Sequence, residues 1–117
     1  KGIYDPVYAH LNASVEYLSS ISSGNYRNSV KESISAVEAM CKILVGDEKA
    51  TLGSALKKLN LHPALEKSFV AMYGYTSDAG GVRHSLGFGD NKIEFFEAKY
   101  MLVSCSAFIN YLKSKHL

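Results

Sequence analysis

Apolar residues recur three and four positions apart along almost the whole chain, which is the spacing of one helix face and not the alternation of a strand. The pattern starts with Val7, Leu11, Val15 and Leu18, behind an Asp5-Pro6 pair that reads as an N-cap followed by proline at the first helical position. It breaks at Ser19-Ser-Ile-Ser-Ser-Gly24. Asn25 then caps a second helix with the stripe Val30, Ile34, Val37, Cys41 and Leu44, ended by Gly46. Thr51 caps a short third helix carrying Leu52, Ala55, Leu56 and Leu59. His62-Pro63 starts a fourth, with Leu65, Phe69 and Met72 inward and Gly74 as its stop. Asn91-Lys-Ile-Glu94 has capping-box spacing and opens the last helix, whose stripe is Phe95, Ala98, Leu102, Cys105, Ile109 and Leu112. A second row, Met101, Phe108 and Tyr111, widens that face, so this helix is expected to be the longest and most buried, in the middle of the bundle or at a dimer interface. The reading is all-α: a bundle of about five helices forming one domain over residues 1–117, with no internal repeat.

Composition adds limits. The chain has 117 residues, 47% of them hydrophobic, enough for a real core in one unit. Thirteen Lys and Arg against eleven Asp and Glu leave +2, too little to indicate nucleic acid unless the cations cluster. Cys41 and Cys105 each sit in an apolar helical stripe and read as reduced core thiols of a cytoplasmic protein. No apolar run approaches the roughly 20 residues of a membrane span, and no secretory signal opens the chain. The start at Lys1, directly before a helix signal, also fits a domain excised from a longer protein.

The chemistry-bearing residues concentrate in Tyr73-Gly-Tyr-Thr-Ser-Asp-Ala-Gly-Gly-Val-Arg-His-Ser-Leu86, a glycine-rich gap between helical segments. Arg83 offers a phosphate a planar fork of donors, and His84 can move a proton near neutral pH. Gly80-Gly81 would let the backbone approach a ligand closely. Asp78, Arg83 and His84 are expected to form one hydrogen-bonded cluster. The same residues also suit a structural tie, with Arg83 paired to Asp78 or Glu38. Tyr73 and Tyr75 are candidates for stacking on a base, beside the commoner reading of tyrosines that pack a core or a loop. On the second helix Lys31, Ser35 and Glu38 follow at four and three residues and can line one groove facing the loop, or stand as an ordinary solvated face beside Arg27, Glu32 and Lys42. His10, His62 and His116 are isolated from each other and from acidic partners, so no metal site and no cofactor is expected.

Several segments together resemble one family. Arg27-Asn-Ser-Val-Lys-Glu-Ser-Ile-Ser-Ala-Val-Glu-Ala39, Ala50-Thr-Leu-Gly53, Tyr73-Gly-Tyr-Thr-Ser-Asp78, Val82-Arg-His84 and Leu102-Val-Ser-Cys-Ser-Ala-Phe108 are similar in order and wording to the HEPN-like helical domains of AbiJ-type abortive-infection proteins. The resemblance implies a small all-α bundle, often dimeric and often fused to other domains, in prokaryotic phage-defence or toxin systems. Catalytic members of the wider group are metal-independent ribonucleases using an arginine and a histidine four to six residues apart, whereas Arg83 and His84 are adjacent. Two classes therefore stand: a module that binds RNA or another phosphate-bearing ligand or mediates homodimerisation, with Asp78, Tyr75, Lys31 and Glu38 about the ligand, and an endoribonuclease using Arg83 and His84. Tyr100, Met101 and Phe108 are the residues expected at a dimer contact.

Overall fold

A computed structural model describes residues 2–20, 23–77 and 93–116, and among them every regular element is a helix. The elements are α1 (Asp5–Leu18), α2 (Ser23–Val45), α3 (Leu52–Lys58), α4 (Pro63–Ser77) and α5 (Phe95–Lys115). The all-α, five-helix reading holds.

The centre of the bundle is α2, not α5 as the double apolar row implied. At 23 residues α2 exceeds the 21 of α5, and it packs against all four other helices. The reason is visible on its surface. Val30, Ile34, Val37 and Cys41 are buried as the stripe predicts, but Ser29, Ser33, Ala36 and Met40 are buried beside them, so small and polar residues extend the covered face. Phe96, Tyr100 and Val103 of α5, by contrast, remain 74%, 63% and 58% exposed.

Helices α1 and α2 form an antiparallel hairpin, sealed by serines instead of by a full apolar seam. Val15, expected in the α1 stripe, is half exposed, while its neighbour Ser14 is fully buried. Ser14 Oγ lies 2.8 Å from both Ser29 Oγ and Ser33 Oγ, and Ser33 Oγ also donates to the Ser29 carbonyl at 3.1 Å. The three hydroxyl protons are all donated, to the Ser14 carbonyl and twice to the Ser29 carbonyl, which removes the usual penalty for burying polar atoms and lets the two helices approach closely. At the outer edge of the same interface His10 Nδ1 lies 2.7 Å from Glu32 Oε1. His10 therefore does have an acidic partner, because the hairpin brings together residues 22 apart in sequence.

The element boundaries follow local chemistry with some shifts. Tyr4, not Asp5, is the N-cap of α1; Asp5 sits in the first turn, where its charge suits the helix dipole, and Pro6 follows it. Asn25 lies inside α2, which begins two residues earlier. Gly46 does end α2, at φ 72°, with its amide on the Lys42 carbonyl at 2.9 Å. Thr51 caps α3 by accepting from the Ser54 amide at 3.1 Å, and Asn60 turns the chain out of it at φ 62°. His62 caps α4, its Nδ1 accepting from the Ala64 amide at 3.0 Å. Gly74 does not stop α4: the helix continues to Ser77, with Thr76 buried and its hydroxyl donating to the Tyr73 carbonyl at 2.7 Å. The capping box of α5 is Glu94 with Glu97, three residues later than the Asn91 pattern, and Asn91 itself lies outside the described residues.

The remaining core joins α2, α3, α4 and α5 through Met40, Leu56, Phe69, Met101, Cys105 and Leu112. Both cysteines are buried and free. Burial pushes the Cys105 thiol up to about 12, and burial together with the Glu38 charge does the same to Cys41. At the far end of α5, Lys113 Nζ donates to the Tyr8 hydroxyl at 2.7 Å and stands 4.9 Å from the centre of the Tyr4 ring. That hydrogen bond holds the Lys113 ammonium above its ordinary value.

Candidate functional site

Helix α4 packs on α2 and α3, but its backbone stays more than 8 Å from that of α5 among the described residues. One ring pair reaches across: Phe69 stacks on Phe108 with centroids 4.5 Å apart and planes 5° from parallel. Beyond that pair toward the end of α4 the two helices leave an open groove of about 670 Å³. Its walls are Ser68, Ala71, Met72 and Tyr75 on α4 and Phe96, Glu97, Tyr100 and Met101 on α5.

The spacing of these residues explains the groove. Ser68, Met72 and Tyr75 lie four and three apart, and Phe96 and Tyr100 four apart, so each set forms one ridge along its helix. Ser68 spends its hydroxyl on the Leu65 carbonyl at 2.8 Å. The polar groups left to face a ligand are the phenols and the Glu97 carboxylate. Glu97 is fixed by the capping box, its Oε1 accepting the Glu94 amide at 3.1 Å. Partial burial raises the Tyr75 phenol above its ordinary value, the Glu97 charge adds to that, and Arg27 opposes it. Tyr75, Glu97 and Arg27 thus share one electrostatic neighbourhood.

Of the ligand-binding and catalytic candidates that fall among the described residues, Tyr75 lines this groove, 41% exposed, as do Tyr100 and Met101 from the residues expected at a dimer contact. Lys31 is exposed on α2 and Glu38 half-buried on the same helix, and neither is among the groove walls. Glu38 acts instead on its neighbour one turn away, Cys41. Asp78, Arg83 and His84 lie outside the described residues, and with them the expected cluster. Met101 and Phe108 are core residues and are not free to form a dimer contact; Tyr100 is exposed. Phe96 and Glu97 were not singled out by their pattern. The available signal was an aromatic pair at i and i+4 on the side of α5 away from its buried stripe.

Among the described residues no three His, Cys, Asp or Glu side chains converge as a metal site, and no helix is long and apolar enough to cross a membrane. No protein-family model, curated protein or solved structure matches the chain.

Proposed function

We propose that this chain is a HEPN-like domain of a prokaryotic phage-defence system, working in the cytoplasm, that binds RNA or another phosphate-bearing ligand and pairs as a homodimer. Support comes from the ordered run of similar segments between Arg27 and Phe108 and from the all-α bundle they form. The observation that carries the binding reading is the aromatic groove. It holds Tyr75, three residues before Asp78 on the chain that continues to Arg83 and His84, and it exposes three aromatic rings beside a bundle that has apolar residues enough for its own core. In this reading Arg83 would hold a phosphate and Asp78 would position Arg83, with Lys31 and Glu38 on α2 as further contacts outside the groove walls.

An endoribonuclease is the second reading, favoured by the Arg83-His84 dipeptide. His84 would take the proton of a ribose 2′-hydroxyl as that oxygen attacks phosphorus, Arg83 would stabilise the charge on the phosphorane, and the 5′-oxygen would leave as its bond to phosphorus breaks, taking a proton from water. The product would be a 2′,3′-cyclic phosphate, formed without metal.

The test uses purified protein and structured RNA in EDTA, read by fluorescence anisotropy and by gel. Binding that falls at least about ten-fold in Arg83→Ala, with the melting temperature unchanged, supports the binding reading. Cleavage that His84→Ala abolishes supports the enzyme. Absence of binding to RNA, nucleotides and inorganic phosphate alike overturns both.

A further inference from the structure

The α4/α5 groove has two aromatic walls and one carboxylate. Tyr75 faces it from α4, and Phe96 and Tyr100 stand a turn apart on α5 with Glu97 between them in sequence. The three aromatic residues are 41%, 74% and 63% exposed, so each keeps surface available to a partner. Met72, partly exposed, contributes a thioether side chain to the lining, which adapts to irregular shapes and contacts aromatic rings favourably, while Met101 closes the floor from the core.

Glu97 selects what can lie there. The Glu94 amide occupies one lone pair of Oε1 and pins the carboxylate, leaving Oε2 and a second lone pair on Oε1. An ionised carboxylate only accepts hydrogen bonds, so its best partner offers two donors side by side. Of the four RNA bases guanine alone does so, through N1–H and N2–H on its Watson–Crick edge. Adenine, cytosine and uracil each set an acceptor beside their donor. An organic cation is the other partner a carboxylate would accept, and the experiment below separates it from guanine.

We propose that the groove takes an unpaired guanine base, stacked between Tyr75 and the Phe96 and Tyr100 rings, with its N1–H and N2–H donated to the Glu97 carboxylate. This rests on the RNA-binding reading above and names the base it selects. The groove, of about 670 Å³, is larger than a single base and open to solvent. Lys67 and Lys99 are exposed on the same two helices, each one residue from a groove wall in sequence.

The chain has eight tyrosines and no tryptophan, so stacking on Tyr75 and Tyr100 is readable as quenching of tyrosine emission. The experiment titrates the protein with short oligouridines carrying one central guanosine, adenosine or cytidine, and separately with free GMP. The guanosine RNA is expected to bind about ten-fold tighter than the others. Glu97→Gln keeps a side chain competent for the capping box and is expected to erase that preference while leaving the melting temperature unchanged. Tyr100→Ala is expected to weaken every RNA by roughly ten-fold. Equal affinities for all the oligonucleotides, or a preference that survives Glu97→Gln, overturn the guanine assignment and leave RNA binding standing. Binding of GMP that depends on Glu97, with no affinity for any RNA, keeps the guanine site and removes the RNA reading. Tetramethylammonium binding in preference to GMP overturns the proposal in favour of a cation site.

Discussion

Ser14 and Ser29 each donate a side-chain hydrogen bond to the other's backbone carbonyl, at 2.9 Å in both directions. The exchange ties α1 to α2 at a point where neither residue touches water. Ser14→Ala leaves buried acceptors short of a donor and is expected to cost about 1–3 kcal/mol in urea unfolding. Ser14→Val adds volume between two closely packed helices and is expected to cost more. A Ser14→Val protein as stable as the wild type would mean the hairpin is not closely packed there.

The Phe69 and Phe108 stack carries the contact of α4 with α5. Phe69→Ala is expected to destabilise the domain by about 3–5 kcal/mol, the range for deleting a buried phenylalanine. Thermal unfolding with a midpoint within a few degrees of wild type would show that α4 is held by α2 and α3 alone.

Cys41 and Cys105 are both held up at about 12 against an ordinary value of 9.0. Above pH 9 the unfolded chain releases thiol protons that the folded chain keeps, so stability is full below about 9 and is lost as pH rises toward 12. Linkage sets a ceiling of about 4 kcal/mol for each thiol over that window. The alkaline slope of the melting temperature is expected to flatten in Cys41→Ala and Cys105→Ala, and a slope indifferent to both would place the thiols in solvent. Labelling of both thiols is expected to be slow in native protein and fast in denaturant.

Val103 and Tyr111 of α5 are 58% and 39% exposed, beyond the groove along the same helix. A homodimer that pairs through them leaves the groove open. Sedimentation at tens of micromolar is expected to show a dimer that Val103→Asp dissociates. A wild-type monomer at that concentration would count against pairing.

The helices were legible because their apolar residues repeat at helical spacing, and so were the local stops and caps, Gly46 and Thr51, whose chemistry acts within a few residues. What was not legible depends on partners distant in the chain. Ser14 outranks Val15 in burial because Ser29 and Ser33 receive it, and no property of α1 alone states that. Gly74 was read as a stop from its intrinsic cost of about 1 kcal/mol in a helix, which burial of Thr76 and packing of Met72 and Tyr73 offset. His10 looked solitary until the hairpin set Glu32 against it. Of the groove, Tyr75 was anticipated, but its opposite wall at Phe96 to Met101 is more than twenty residues on, and only folding sets the two together. Asp78, Arg83 and His84 were the strongest signal in the sequence and lie outside the described residues.

Lys113 fastens the last helix to Tyr4 and Tyr8 of the first segment, 105 residues away from Tyr8 in the chain. Both ends of the described fold therefore emerge at the same pole of the bundle. The groove sits at the other: from Glu97 to Lys113 α5 rises for about 24 Å at about 1.5 Å per residue. A tether, a bead or a fused domain attached at either end would point the aromatic groove away from its support and leave it reachable by a long polymer.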